Sequence, residues 1–545
     1  MWETEHYINA FTTIIRYLLP VLSVVLTAIC AYGLLKKRVK PYKLFILTDE
    51  MKEIPIESGE YLIGSDKQCD IVLDEVKPRH LVLSVSNNYM WVRPVDKHKV
   101  LINRKTIKKE TNISPDDLIS LGDREFSVRM KRNGAKASGN DTGKKAVCFA
   151  CLNLIQLFML FTLIFAYPEK KLAILISFGA IMAGQWVYML ATRFLAAFLE
   201  IPVMFMVTLG FTVVAHNTSI TMYKQLICLA VGVIASVLLA KFIDIPKRAI
   251  NFKFIALIIG VAFFCVNMVF GVVYNGAQNW LKIAGFSFQP SELIKVILVF
   301  ITGTSAEKLT NKRDAAPFVA FSLFCLGTLA YLSDFGTALI YGVTLAALLF
   351  IRFCSYKLLA IFGGAAVVGG GAVALFFPYV AKRLFSFSKA FEHAADSGYQ
   401  QTRTMISAAS GGFFGVGAGN GTLVKVASYD TDIVFGLVVE EWGLIIGLCA
   451  LFFFVVLALY AAKALSVSSS NYYSVTCCAA SVMLLVQASL NVFGSLDMLP
   501  FTGVTLPFIS NGGSSLISCI MLMAFFRAAV RNENVILSER RRSDE

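Results

Sequence analysis

Charge is scarce in this chain: 16% of its 545 residues are Asp, Glu, Lys or Arg, against 57% hydrophobic. With a mean hydropathy of +0.67, that balance excludes an ordinary soluble globule and reads as a polytopic membrane protein. Histidine is rarer still, with 5 residues at 6, 80, 98, 216 and 393. None stands at ligand spacing from another, which argues against a structural metal. The 12 cysteines form no zinc spacing and no ladder of pairs; most, such as Cys148, Cys228 and Cys325, lie inside apolar runs and read as small buried hydrophobes. The N-terminus lacks the positive region of a cleaved signal, having Glu3 and Glu5 instead, so the apolar run from Tyr17 to Leu35 is expected to stay as an anchor. No internal repeat is visible. The net charge of +14 comes from Lys and Arg in the short connections between apolar runs, as positive-inside topology requires, and no nucleic-acid-binding signature accompanies it.

The order of parts follows from where the apolar runs begin and stop. Residues 1–43 form the anchor and its basic flank, Lys36, Lys37, Arg38, Lys40 and Lys43, which places the end of the anchor in the cytoplasm. From 44 to 130 no stretch reaches the roughly 20 apolar residues of a membrane helix. Short alternating runs such as Leu81-Val82-Leu83-Ser84-Val85 and Met90-Trp91-Val92 instead predict a small β-sandwich. A Gly-, Lys- and Asn-rich linker spans 131–146, two additional transmembrane helices lie in 147–195, the main membrane domain covers 196–535, and 536–545 is a cytoplasmic tail. The fold class is thus an all-α polytopic bundle with a cytoplasmic sandwich. About twelve membrane helices follow the linker, centred near residues 157, 181, 206, 233, 264, 299, 325, 344, 367, 447, 484 and 518, by windows of roughly 19 residues.

Within the sandwich, Ile63-Gly64, Cys69-Asp70-Ile71-Val72-Leu73, Arg79-His80, Ile102-Asn103 and Leu121-Gly122-Asp123 fall in an order that resembles forkhead-associated (FHA) domains. Such domains read phosphothreonine on partner proteins, and the resemblance implies a cytoplasmic partner. It points to Ser65, Lys77, Arg79 and Asn103 as the phosphopeptide-binding positions, with Arg104 as further positive charge. The family has Arg and Ser where this chain has Ser65 and Lys77, and loss of that arginine removes a charge-assisted donor. A phosphate-independent docking module is the alternative.

Four polar motifs stand at the ends of apolar segments: Asn275-Gly276-Ala277 through Gln289-Pro290-Ser291-Glu292-Leu293-Ile294-Lys295; Asp334-Phe335-Gly336-Thr337; Thr431-Asp432 followed by Glu440-Glu441; and Asn511-Gly512-Gly513-Ser514-Ser515. Ionisable groups at membrane depth cost a few kcal/mol each and are kept for sites inside a bundle. Alternating the helices from a cytoplasmic linker puts all four on the outer face, where they define a concave site open to the exterior. Lys170-Lys171 then fall outside, against the charge rule, which is an overall bias and not a local law.

These motifs resemble the SEDS family (shape, elongation, division and sporulation proteins), whose members include RodA and FtsW, over roughly residues 196 to 535. The matching residues are Asn275-Gly276-Ala277, Trp280, Phe288 to Lys295, Asp334 to Thr337, Gly398-Tyr399-Gln400, Ser410-Gly411-Gly412, Thr431 to Phe435 with Glu440 to Gly443, and Thr502 to Ser515. Five motifs in order form a specific signal where any one is weak. The chain departs from the family at Ala427 to Asp430, at Arg403-Thr404, at Gln278-Asn279 and at Asn511.

The resemblance implies a peptidoglycan glycosyltransferase of the plasma membrane that polymerises lipid II, an undecaprenyl diphosphate-linked disaccharide peptide, beside a class B penicillin-binding protein. Elongation, division and sporulation stay open as the process served. Diphosphate leaves readily, so one carboxylate base and some positive charge suffice, unlike glycosidases with their paired carboxyls. Asp432 carries over as the catalytic acid residue. Glu292 and Lys295, three apart on one helix face, carry over as substrate-cavity residues with Gln289, Ser291, Asp334, Ser514 and Ser515, and Lys295 is the expected partner of the diphosphate. A simple burial pair is the alternative for Glu292 and Lys295. Glu440 and Glu441 belong to the same set, as orienters of the Asp432 loop or as acids favoured in the first turns of a helix. The glycines between Gly411 and Gly421 would let an outer loop fold tightly. No cofactor is expected, a divalent cation at the diphosphate being the one addition the chemistry admits. A lipid II transporter and a catalytically idle scaffold are the competing functions.

Overall fold

The computed structural model describes residues 2–36, 42–48, 53–56, 59–66, 69–85, 90–95, 98–107, 111–113, 117–132, 141–244, 246–274, 277–283, 285–306, 312–353, 356–467 and 471–542. Asn275 and Gly276, which open the first motif, and the middle half of the linker, residues 133–140, lie outside them. The chain divides into two compact units: Met1–Leu35 with Thr142–Ala462 and Val475–Val530, and Lys36–Asp141 with Lys463–Ser474 and Arg531–Glu545.

In the second unit, eleven strands pair into two antiparallel-dominated sheets. They are β1 (Tyr42–Thr48), β2 (Glu53–Ile56), β3 (Gly59–Gly64), β4 (Ile71–Val72), β5 (Leu81–Val85), β6 (Met90–Pro94), β7 (Val100–Ile102), β8 (Lys105–Ile107), β9 (Thr111–Ile113), β10 (Leu118–Leu121) and β11 (Arg124–Arg132). One sheet runs β2-β1-β11-β10-β7-β8 and the other β4-β3-β5-β6-β9. Alternation decides which side chains face inward: in β5, Leu81, Leu83 and Val85 are buried while Val82 and Ser84 are not. They join Ile46, Ile63, Val92, Ile119, Phe126 and Val128 in one core, as period-2 patterning requires. The strand β11 extends to Arg132 and the next helix begins at Asp141, so both ends of the expected linker are regular structure.

The first unit contains α1 (Trp2–Leu35), α2 (Asp141–Ala166), α3 (Lys171–Ala191), α4 (Ala197–Val214), α5 (Ser219–Ile243), α6 (Pro246–Asn251) and α7 (Lys253–Phe270). A three-stranded meander follows, β12 (Val272–Tyr274), β13 (Ala277–Ile283) and β14 (Phe286–Phe288). Then come α8 (Pro290–Ala306), α9 (Lys312–Tyr331), α10 (Phe335–Phe353), α11 (Tyr356–Phe376), α12 (Pro378–Ser386), α13 (Tyr399–Gly411) and α14 (Val434–Trp442). The last three, α15 (Leu444–Val467), α16 (Asn471–Ser495) and α17 (Gly513–Arg542), begin in one unit and end in the other or cross between them. Every expected helix centre falls inside a separate helix. Among the described residues, nine helices, α1 included, are long and apolar enough to cross a membrane, or ten if the bent pair α11 and α12 is one span. Phe318–Tyr331 and Phe335–Phe350 are shorter apolar helices, so the count of about twelve is not met by length and composition alone.

The meander was not expected from sequence. Its strands are short, and Trp280 and Leu281 read equally as loop hydrophobes. It delivers the chain to α8, where Pro290 supplies the fixed φ favoured at a first helical position. Among the nine long apolar helices α4 is the most enclosed, with 94% of its apolar window buried, whereas α5 and α7 keep most of theirs facing outward, as lipid-facing helices do.

Candidate functional site

At the start of α8, Glu292 and Lys295 lie one turn apart and both are buried, Lys295 at 1% exposure. Lys295 Nζ donates to Glu292 Oε1 at 2.8 Å and to Gln487 Oε1 on α16 at 2.8 Å. Ser518 Oγ on α17 donates to Glu292 Oε2, also at 2.8 Å. Such a buried pair survives because each charge meets its opposite and the remaining lone pairs are satisfied. Asp334 caps α10, accepting from Thr337 N at 3.2 Å, while its other oxygen accepts from Gln289 Nε2 at 3.0 Å and Asn279 Nδ2 at 3.2 Å. Ser514 Oγ accepts from Gln289 N at 3.3 Å, Ser515 Oγ lies 2.7 Å from Thr505 Oγ1, and the Ser291 carbonyl accepts from Tyr341 at 2.7 Å. The expected cavity residues on α8, α10 and α17 therefore form one connected polar patch.

The patch continues to Asp432 through α16. Gln487 and Asn491 are four apart and share a helix face. Gln487 donates to Thr505 O and Thr505 Oγ1 at 3.0 Å each. Asn491 Nδ2 donates to Val504 O at 2.7 Å and to Asp432 O at 2.9 Å. One helix face thus holds the Glu292–Lys295 pair, the 504–505 segment and the backbone of Asp432.

Asp432 sits in the turn ahead of α14, outside the spanning helices, and its side chain is half-buried. Burial pushes its carboxyl up from 3.8 to about 7; Thr431 and Arg383 oppose that shift and Asp430 adds to it. Gly503, at φ +68°, is beside it: a Cβ there would stand 3.4 Å from Asp432 Oδ2. Both the left-handed backbone and the space favour glycine at this position.

Two of the positions that depart from the family pattern, Asp430 and Asn511, are joined to each other. Asp430 Oδ2 accepts from Asn511 Nδ2 at 2.8 Å and from Asn217 Nδ2 at 2.7 Å, and Asn511 N donates to Asp430 O at 2.8 Å. Tyr429 donates to Asn217 Oδ1 at 2.6 Å. Asp430 is thereby a clasp between the turn and the start of α17, its charge shared between two amides. Asn279, another departure, is the residue that reaches Asp334.

Glu440 and Glu441 occupy the last turn of α14, not the first, so the helix dipole opposes them and the dipole reading is overturned. They hold the preceding loop instead. Thr422 N and Thr422 Oγ1 donate to Glu440 Oε1 at 2.9 and 2.8 Å, and Leu423 N to Glu440 Oε2 at 3.0 Å. Glu441 Oε1 accepts from Gly419 N at 2.9 Å, from Gly421 N at 3.3 Å and from His216 Nε2 at 2.8 Å. Both carboxylates are almost wholly enclosed and are engaged by the loop and by His216, which makes them braces of the loop. The loop comes this close because Gly411 and Gly415 lie against α14: a Cβ on either would stand 2.3 or 2.2 Å from the carbonyl oxygens of Val439 or Glu441.

His216 is the residue that sequence reasoning missed here, since its partner is 225 positions away. Burial alone would lower its pKa, but the Glu441 carboxylate outweighs burial and raises it. With the folded value above the unfolded one of about 6.5, the pair stabilises fully below that pH and the contribution is lost as pH rises through the folded value. The melting temperature of the protein in detergent is expected to fall from pH 6 to pH 8.5, and His216→Gln to flatten that part of the profile.

In the sandwich, Ser65 N donates to Lys77 O at 3.1 Å and Asp66 N to Pro78 O at 3.0 Å, which knits the two loops that carry Ser65, Lys77 and Arg79. Gly64 permits it, since a Cβ would stand 2.2 Å from Pro78 O. Lys77 and Arg79 are exposed, and Arg79 faces Asp66 at 3.8 Å. Asn103, at φ +47°, ties its loop to Asp117 at 2.8 Å and to Leu118 N at 3.0 Å. It is a loop brace.

Comparison with known proteins follows the same division. Residues 48–132 match the family described as the inner membrane component of T3SS, cytoplasmic domain. The probable peptidoglycan glycosyltransferase FtsW of Saccharophagus degradans is 31% identical over 332 residues, 57% of this chain and 84% of that protein. The Bacillus subtilis protein of the same name is 30% identical over 54% of this chain and 77% of its own length. The peptidoglycan glycosyltransferase RodA of Mycobacterium bovis is 28% identical over 55% and 68%. A solved structure entitled "Structural coordination of polymerization and crosslinking by a peptidoglycan synthase complex" shares the fold, with a TM-score of 0.51 at 24% identity over 61% of this chain and 96% of that one. Residues 185–534, well over half of the chain, match the family described as cell cycle protein, that of FtsW, RodA and SpoVE, and this multi-pass membrane protein belongs to that family.

Proposed function

We propose that the protein is a peptidoglycan glycosyltransferase that polymerises lipid II, with Asp432 as general base. The observation that carries this reading is the place of Asp432, half-buried at the meeting point of the family motifs with Gly503 beside its carboxyl, where burial pushes that carboxyl up to about 7. Asp432 takes the proton from the 4-hydroxyl of the acceptor sugar as that oxygen attacks the donor's anomeric carbon. The bond to the diphosphate breaks, and undecaprenyl diphosphate leaves with the electron pair. A base near the working pH is the most effective kind.

The geometry redistributes the roles around it. Lys295 spends its charge on Glu292 and Gln487, so it supports the site through packing. Arg383 on α12, whose charge acts on Asp432 and whose guanidinium donates to Phe501 O at 3.2 Å, is the better partner for the departing diphosphate. Among the described residues no three His, Cys, Asp or Glu side chains gather as metal ligands, so a divalent cation would arrive with the diphosphate. The site faces the exterior and the sandwich the cytoplasm. A class B penicillin-binding protein is the crosslinking partner, and the sandwich docks a cytoplasmic protein.

Purified protein given lipid II is expected to yield glycan strands. Lipid movement without strands would make it a transporter, and neither activity would leave the scaffold reading. Topology is checked by single cysteines at Ser388 and Ser138 in a cysteine-free background: an impermeant thiol reagent on intact cells should label Ser388→Cys and spare Ser138→Cys. The reverse pattern would take the site away from its acceptor strand.

A further inference from the structure

Away from the polar patch, a cavity of about 580 Å³ lies among α3, α4, α5 and α17, inside the about 300–1,000 Å³ range of ligand pockets. Its walls are aliphatic, Ile181, Met204, Leu226, Val233 and Ile520 among them. Ile227 and Ile234, at 53% and 61% exposure, stand at its mouth, so it opens sideways from the bundle. One wall is α3, which contributes Ala180, Gly184 and Gln185; a Cβ on Gly184 would meet nothing within 4 Å.

One end is polar. Arg527 Nε donates to Glu200 Oε1 at 2.6 Å, Arg527 Nη1 to Ser236 Oγ at 2.9 Å, and Tyr188 donates to the same Glu200 oxygen. Glu200 is 3% exposed, and among the described residues its Oε2 has no hydrogen-bond partner. Nor does the second terminal nitrogen of Arg527 meet an acceptor there. A buried carboxylate oxygen without a donor costs stability unless something else supplies one. The cluster thus offers an acceptor and two N–H donors, side by side, at the end of an apolar slot.

Its depth matches a membrane leaflet. Glu200 is in the first turn of α4, Tyr188 in the last turn of α3, and Arg527 one turn before the end of the apolar span at Arg531, which sets the cluster at the boundary between hydrocarbon and headgroups. From there the lining runs to Val207, Ala180 and Ile520, seven or eight residues away or about 10–12 Å at 1.5 Å per residue, the greater part of one leaflet's half of the roughly 30 Å hydrocarbon core.

We infer that this cavity is a binding site for one acyl chain of a phosphoglyceride whose phosphate accepts from Arg527 and whose headgroup donor, a hydroxyl or an ammonium, reaches Glu200 Oε2. The unpartnered Glu200 oxygen calls for a headgroup donor, which a bare polyprenyl diphosphate lacks, so the occupant is bulk membrane lipid and not the released lipid carrier of the polymerisation reaction.

The test is native mass spectrometry of the full-length protein in detergent, offered phosphatidylethanolamine, phosphatidylglycerol or phosphatidylcholine. One retained lipid per chain is expected for the first two, with phosphatidylcholine, which has no headgroup donor, at least tenfold weaker. Gly184→Phe fills the slot and should cut retention at least tenfold. Gly179→Phe, on the same helix with equally open space but outside the lining, should leave it unchanged; Gly184→Leu serves if the Phe variant does not fold. Equal retention by wild type and the Gly184 variant, or equal loss in both glycine variants, overturns the site. Equal retention of phosphatidylcholine overturns the headgroup assignment.

Discussion

Asp432→Asn and Asp432→Ala are expected to abolish glycan synthesis from purified lipid II, lowering turnover by the about 100- to 10,000-fold that a positioned general base supplies, while the protein still folds. The asparagine variant carries the sharper test, because its effects on activity and stability run in opposite directions. The folded carboxyl titrates near 7 and the unfolded one near 3.8, so ionisation opposes folding and stability falls as pH rises between those values. Asp432→Asn removes the charge and should unfold at a higher temperature than wild type at pH 8, with little difference at pH 4. In the wild type, turnover should climb through about pH 7 and level off above it. Asp430→Ala loses the clasp to Asn217 and Asn511 and is expected to lose stability first. Normal strand synthesis by Asp432→Ala would end the assignment.

Lys295→Met is the second large effect. It strands Glu292 in the bundle and takes a donor from Gln487, and breaking a buried pair by one partner costs about 3–5 kcal/mol. The double change Glu292→Gln with Lys295→Met leaves no uncompensated charge and should recover most of the melting temperature and, with it, most of the turnover. Measured together, unfolding and strand synthesis separate packing from chemistry. A double variant that folds but makes no strands would give Lys295 a direct part in handling the diphosphate.

How much of this was legible beforehand depends on the range of the interaction. Helix centres follow from local hydropathy, and all twelve fall within helices. The alternation in Leu81–Val85 likewise places that strand's buried face. The charged members Glu292, Lys295 and Asp334 stand out in apolar sequence, and the resemblance to the SEDS family added Gln289, Ser514 and Ser515 to the expected cavity. What they do could not be read, because the partners are distant: Gln487 lies 192 positions from Lys295, and Asn217 lies 213 from Asp430. The dipole alternative for Glu440 and Glu441 fails for a different reason, while the reading as loop orienters stays open. Nothing local marks where a nine-residue helix begins, and shifting its start by one turn reverses the sign of the dipole argument. The departures at Asp430 and Asn511 looked like separate losses in sequence; in three dimensions they bond to each other.

The clasp of Glu440 and Glu441 on residues 419–423 also bears on how freely this part of the chain can change. Apart from the Thr422 hydroxyl, the loop's bonds to those carboxylates come from main-chain N–H groups, which every amino acid except proline provides. The exposed side chains there, Asn420 and, at the cost of one bond, Thr422, are consequently free to vary without loosening the loop, provided Gly415, Gly419 and Gly421 are kept, Leu423 stays buried and no proline enters. Relatives with different residues on this surface can therefore keep its shape while presenting a different chemical face to whatever passes over it.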